Sequence, residues 1–330
     1  MLRLPVIVGF GGVNAAGRTS FHHAYRRMIF DVLDGEKKQA TLDSIAEIMG
    51  LENGVPGYEA EVLGGTLIRR IEPELLDVRA VEYNHNIKTA GTDERPTVFE
   101  MEAKHLPDDA PEAWQIERLD GGVVRVTLNE AGRFLVPATR ELKVQSAGQL
   151  PSGFQPGKRY QSRNHPRGLQ MTVYGASDAL QATGLNWEAV TSRVSPDQIS
   201  VYAGSGMSQL DINANGGMLA ARYKGKRVTS KQCPFGFAEM PADFINAYIL
   251  GSLGTTGTSM GACASFLYNL RQAITDIQSG RSRVVIVGNS EAPIVPEIIE
   301  GYSAMGALAT DKELRALDDG ILNHNRACRP

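Results

Sequence analysis

Cysteine is scarce in this chain: Cys233, Cys263 and Cys328 are the only three in 330 residues. The count is odd and no pair is spaced as CxxC, which argues against a disulfide framework. Such usage fits a reducing, cytoplasmic compartment, where a lone thiol is free for chemistry. Histidine is also sparse, at six, with no HxxxH or HExxH pattern. His22 and His23 are adjacent and project to different faces of a helix, so no protein metal site is expected. The net charge of -3 gives no broad basic field for nucleic acid. No apolar run approaches the roughly 20 residues of a membrane span. The stretch Leu4 to Phe10 is too short for a secretion signal, and Gly11-Gly12 follows it at once. What remains is an ordinary globular composition, 42% apolar and 22% charged, enough for one large domain or two modest ones.

Three stretches differ in rhythm. In residues 1–34, Pro5 to Phe10 reads as a buried first strand, and Thr19-Ser20 as the cap of a helix running to Leu33. Gly9-Phe10-Gly11 is not a dinucleotide loop, because the sixth position of GxGxxG is Asn14. Residues 35–165 are polar and mixed and read as an insertion. Within them Val123 to Leu128 and Arg133 to Val136 are expected to form a hairpin around Asn129 to Gly132. From 166 to 330, strands alternate with helices. Helices are expected over Leu169 to Thr183, Pro241 to Leu250 and Cys263 to Ser279, strands over Gln198 to Ala203 and Arg283 to Gly288, and a further strand or extended entry over Leu253 to Met260. In the last helix Phe266, Leu270, Ala273, Ile274 and Ile277 form one apolar face. The class is α/β with both sheet faces covered.

Cys263 is the candidate nucleophile. It sits where an extended segment turns into a helix, and free N–H groups and the positive dipole end favour an anion there. Its neighbours Gly261, Ala262, Ala264 and Ser265 are small and leave room for an acyl chain or a pantetheine arm. A buried core cysteine on an apolar helix is the competing reading of the same pattern.

Gly261-Ala262-Cys263-Ala264-Ser265 resembles the active-site segment of the β-ketoacyl-ACP synthases of the thiolase superfamily. Gly204-Ser205-Gly206-Met207 resembles that family's glycine-rich loop. Ile274 to Gly280, Val284 to Glu291 and Gly301 to Leu308 resemble its following segments, in order. The start and the long insertion look most like the initiating synthases of some Gram-negative bacteria. The resemblance implies the first half of a thiolase-like αβαβα sandwich. It implies a homodimer, no cofactor, and decarboxylative condensation of an acyl thioester, such as acetyl-CoA, with malonyl-ACP in fatty acid biosynthesis. Cys263 would carry the acyl group. Met207 would line the acyl pocket, or serve as plain core. Arg222, Lys224, Lys226 and Arg227 would receive the acidic acyl carrier protein, or form a solvated face. Glu291 reads as a structural acceptor.

The family also uses two histidines, a lysine and a glycine-phenylalanine-glycine segment from its second half, and no histidine here matches by motif. The chain therefore reads as an incomplete half. A non-catalytic partner of a condensing assembly and a thioester-cleaving cysteine hydrolase are the competing functions, and the latter needs a paired histidine. Purified 1–330 given acetyl-CoA and malonyl-ACP is expected to yield no β-ketoacyl product; detection of that product by mass spectrometry overturns the expectation.

Overall fold

A computed structural model describes residues 4–52, 56–162, 164–291 and 294–324; Cys328 lies outside the described residues. It divides into two compact units, residues up to 78 with those from 142 onward, and residues 79–141.

In the first unit, helices α1 (Gly35–Met49) and α2 (Tyr58–Gly64) bury Leu42, Ile45, Ala46 and Val62 with Phe30. All but Phe30 belong to the segment 35–165 read as insertion, yet only 79–141 separates as its own unit. Helix α3 (Arg167–Ala182) follows the expected 3.6-residue pattern. Its Leu169 and Val173 meet Phe244, and its Ala176 enters the main core.

That core lies on a three-stranded parallel sheet ordered β2-β1-β3, with β1 at Ile199–Gly204, β2 at Thr256–Gly257 and β3 at Val284–Asn289. Helix α4 (Met240–Ile245) precedes β2, and helix α5 (Ser265–Ser279) connects β2 to β3. The central strand β1 is buried along its whole length. Its alternation separates two chemistries. Ile199, Val201 and Ala203 join Ala176, Ala242 and Ile245 in the core. Ser200 and Tyr202, on the other side, meet polar partners. The Ser200 and Ser282 hydroxyls lie 2.8 Å apart, and the Tyr202 hydroxyl donates to Asp276 on α5.

The expected first strand is not formed. Residues 4–12 belong to no ladder, and Leu4, Val6, Ile7 and Val8 are exposed. A strand needs a paired edge, and here the chain is held by a helix instead. Gly11 lies so close to α3 that an added Cβ would stand 2.3 Å from the Ala179 nitrogen. The helix expected from Ser20 to Leu33 is broken into a short turn at Ser20–His22, a helix at His23–Met28 and a turn at Phe30–Val32. The reason is competition for the capping hydroxyl. Ser20 Oγ donates to Asp178 at 2.9 Å, so it caps nothing, and Phe21 and His22 take positive φ.

Asp178 gathers the N-terminal loop onto α3. Its carboxylate, 4% exposed, accepts from the Gly12 N–H, Arg18 Nε, Arg18 Nη2 and Ser20 Oγ at 2.8–3.0 Å.

The unit 79–141 has two antiparallel sheets. Val81–Lys88 pairs with Arg133–Arg140, while Val123–Leu128 lies between Thr97–Glu102 and Trp114–Arg118. The two expected hairpin strands thus go to different sheets. The turn between them is closed from outside: Thr89 N–H donates to the Gly132 carbonyl at 2.9 Å, and Gly132 N–H to Thr89 Oγ1 at 3.2 Å. Phe99 packs edge-on against Trp114 and Phe134, with centroids 5.5 and 5.3 Å away.

Removing a buried carboxylate leaves Arg18 and two further donors without their acceptor. Asp178→Ala is expected to destabilise the chain by about 3 kcal/mol, measured by urea denaturation; a change below about 0.5 kcal/mol would show that the N-terminal loop is held by other contacts.

Candidate active site

All three parallel strands point the same way, so the loops after their C-terminal ends gather at one edge of the sheet, where open α/β sheets place ligands. After β1 comes Ser205 to Ser208, after β2 the segment Thr258 to Cys263, and after β3 Ser290-Glu291.

The segment after β2 is a tight elbow. Ala262 has φ +50°, and the 3-10 turn Ala262–Ala264 leads directly into α5. Gly261 is needed because the Tyr268 ring lies where its Cβ would be, 2.1 Å away. Cys263 is a free thiol exposed at this turn. The competing reading as a buried core cysteine is thereby excluded. The second free thiol, Cys233, is also exposed.

The inward face of α5 corrects the apolar stripe expected there. Ser265, Asn269, Ala273 and Asp276 are the buried positions, whereas Phe266 is 44% exposed and Leu270, Ile274 and Ile277 are only half-buried. The helix crosses β1 on the side that presents Ser200 and Tyr202, so its polar stripe finds partners. Asp276 is fully buried and accepts from Tyr202, from Gln272 Nε2 at 3.1 Å and from Arg281 Nη1 at 3.1 Å. Burial, then the bond to Asp276, pushes the Tyr202 phenol above its ordinary pKa. Polar residues at i, i+4 and i+11 were the available signal, masked by the apolar residues between them.

The glycine-rich loop is tied to the end of β3. Glu291 accepts from the Gly206 N–H and, at 3.0 Å, from the Met207 N–H. Met207 is half-buried beside this carboxylate clamp. The loop also meets the elbow, since Thr258 fills the notch left by Gly204, where a Cβ would fall 2.2 Å from its Oγ1. A cavity of about 420 Å³ lies beside β3, lined by Gly12, Arg167, Thr172, Ala203, Gly288 and Glu291 among others.

Arg222, Lys224, Lys226 and Arg227 lie together on an exposed loop, with the Arg222 guanidinium 5.4 Å from the Tyr223 ring centre. His165 is buried among Tyr160, Phe235, Phe244 and Tyr248, and burial lowers its pKa. His324 Nδ1 lies 2.7 Å from Ser146 Oγ, and His22 packs on Phe10. Among the described residues no cluster of histidine, cysteine and acidic groups could hold a metal.

Residues 136–322 match the family model described as "Beta-ketoacyl synthase, N-terminal domain". The β-ketoacyl-[acyl-carrier-protein] synthase FabY of Pseudomonas aeruginosa is 50% identical, over 100% of this chain and 55% of that protein. A 3-oxoacyl-[acyl-carrier-protein] synthase 2 of Staphylococcus aureus is 27% identical, over 52% of this chain and 38% of its own length. The crystal structure of the FabY ketosynthase from P. aeruginosa superposes with a TM-score of 0.94 at 49% identity, covering 100% of this chain and 55% of that one. The chain thus spans about half the length of FabY, and the expected α/β thiolase-like fold is the one it shares with that ketosynthase.

The Glu291 clamp makes a local claim. In Glu291→Ala, amide hydrogen exchange at Gly206 and Met207 is expected to speed up about tenfold, the scale of a lost charge-assisted hydrogen bond. Unchanged exchange at both amides would show that the loop is ordered without it.

Proposed function

The chain belongs to the β-ketoacyl synthase family, and from that premise we propose that it carries the acyl-accepting nucleophile of a condensing enzyme of fatty acid biosynthesis. The supporting observation is an exposed Cys263 thiol on a strained elbow at the C-terminal edge of a parallel sheet.

The chemistry has two stages. The Cys263 thiolate attacks the carbonyl carbon of an acyl thioester, acetyl-CoA in the initiating case, and the donor's thiolate leaves. Malonyl-carrier then loses CO2, and the electron pair left on its α-carbon attacks the acyl carbon on Cys263. The C–S bond breaks, the β-ketoacyl carrier departs, and the cysteine thiolate is restored. The backbone at the helix start supplies N–H donors for the developing oxyanion. The histidines that assist decarboxylation in the family are proposed to lie in a catalytic portion beyond the span matched here.

Acyl carrier protein is the proposed partner. An exposed loop carrying Arg222, Lys224, Lys226 and Arg227, with Tyr223 61% and Val228 54% exposed beside them and Leu219 60% exposed on the preceding helix Asn215–Ala221, suits an acidic surface with an apolar anchor. A homodimer working in the cytoplasm completes the proposal. No described helix is long and apolar enough to cross a membrane. Met207 is proposed to line the acyl pocket, held in place by Glu291.

Incubation with acetyl-CoA followed by peptide mapping is expected to place one acetyl group on Cys263 and none on the Cys263→Ala variant. Acetylation of Cys233 in preference to Cys263, or of neither, would sink this reading.

A further inference from the structure

We infer that Ser265 and Asn269 are positioning residues that set the conformation of the nucleophile elbow, an inference that rests on the reading of Cys263 as the acyl acceptor. They occupy successive turns of α5 on its inward face and are 1% and 0% exposed. Between them they satisfy backbone groups of the segment leading to Cys263. Ser265 Oγ accepts from the Gly261 N–H at 3.0 Å and donates to the Ala262 carbonyl at 2.8 Å. One hydroxyl thus bridges both sides of the residue whose φ is +50°, a conformation that non-glycine residues seldom adopt. Asn269 Oδ1 accepts from the Ser259 N–H at 2.7 Å, and its Nδ2 donates to Thr258 Oγ1 at 3.0 Å. Thr258 is the side chain seated in the Gly204 notch, so Asn269 also registers the elbow against the glycine-rich loop.

Both side chains are buried, so their polar atoms find their partners in these groups of the elbow. Without the Ser265 hydroxyl, Gly261 N–H and Ala262 C=O lose their shared partner. Ala262 then relaxes toward the right-handed region, which swings the Cys263 side chain away from its present direction. The elbow's shape is therefore imposed by side chains from within α5, not by the strand before it, whose ladder stops at Gly257.

The test is the rate of iodoacetamide alkylation of Cys263 relative to Cys233 in the same molecule, read by peptide mapping. Cys233 is an internal reference, exposed and outside the elbow. Folded Ser265→Ala is expected to lower the ratio about tenfold, and Ser265→Thr, which keeps the hydroxyl, to stay within about twofold of the unaltered chain. A merely structural role would reduce thermal stability and leave the ratio among folded molecules unchanged, and that result overturns the inference. If Ser265→Ala does not fold, Asn269→Ala read in the same way is expected to show the fall, and an unchanged ratio overturns the inference equally. The two readings fail separately. An unaltered chain whose Cys263 reacts no faster than Cys233 defeats the functional assignment, whereas a preference that persists in the variants defeats only the positioning role.

Discussion

The buried polar seam between α5 and the central strand organises this site. Ser265, Asn269 and Asp276 face inward from the helix, toward the elbow and toward the Ser200–Tyr202 side of β1. An apolar helix face could slide or rotate on a sheet at modest cost. A hydrogen-bonded face cannot, because each displaced donor or acceptor would be left dry at about 1–3 kcal/mol. The seam therefore fixes both the rotation of α5 and its axial position. Cys263, at its start, inherits that precision.

The same logic joins the other two loops. Glu291 reaches from the end of β3 to the amides after β1, and Ser290 N–H donates to the Gly204 carbonyl at 3.1 Å. Thr258, after β2, fits against Gly204 from the opposite neighbour. Strand order β2-β1-β3 puts the glycine-rich loop in the middle, so it contacts both flanking segments. Three short pieces that are far apart in sequence become one surface, held by backbone amides and the Gly204 notch that Thr258 fills. Farther out, Asp178 does for the N-terminal loop what Asp276 does for α5, since one buried carboxylate collects donors that lie 158–166 residues away.

Much of the parallel core was legible beforehand. The apolar run Ile199 to Ala203, the spacing of Leu169, Val173 and Ala176, and the helix following Cys263 all appear where local pattern puts them. The failures have a common origin. Pro5 to Phe10 has strand composition, but a strand exists only with a paired edge. Val123 to Leu128 and Arg133 to Val136 look like a hairpin, but Thr89 captures the turn and the strands part. Ser20 is a good cap in isolation, but Asp178 takes its hydroxyl. Each misreading concerns a group with a choice of partners, and the chosen partner is remote in sequence.

The sequence by itself determined the chemistry on offer: one thiol among small residues at a helix start, a glycine-rich loop after a buried strand, and no metal-binding pattern. Residue identity and short spacing carry that information. Only the tertiary structure decided that Cys263 is exposed and not core, that α5 turns its polar side inward, and that Glu291 serves the glycine-rich loop. Those outcomes depend on which face of α5 meets the polar side of β1, and hydrogen-bond satisfaction across that contact is a property of the pair that neither segment possesses alone.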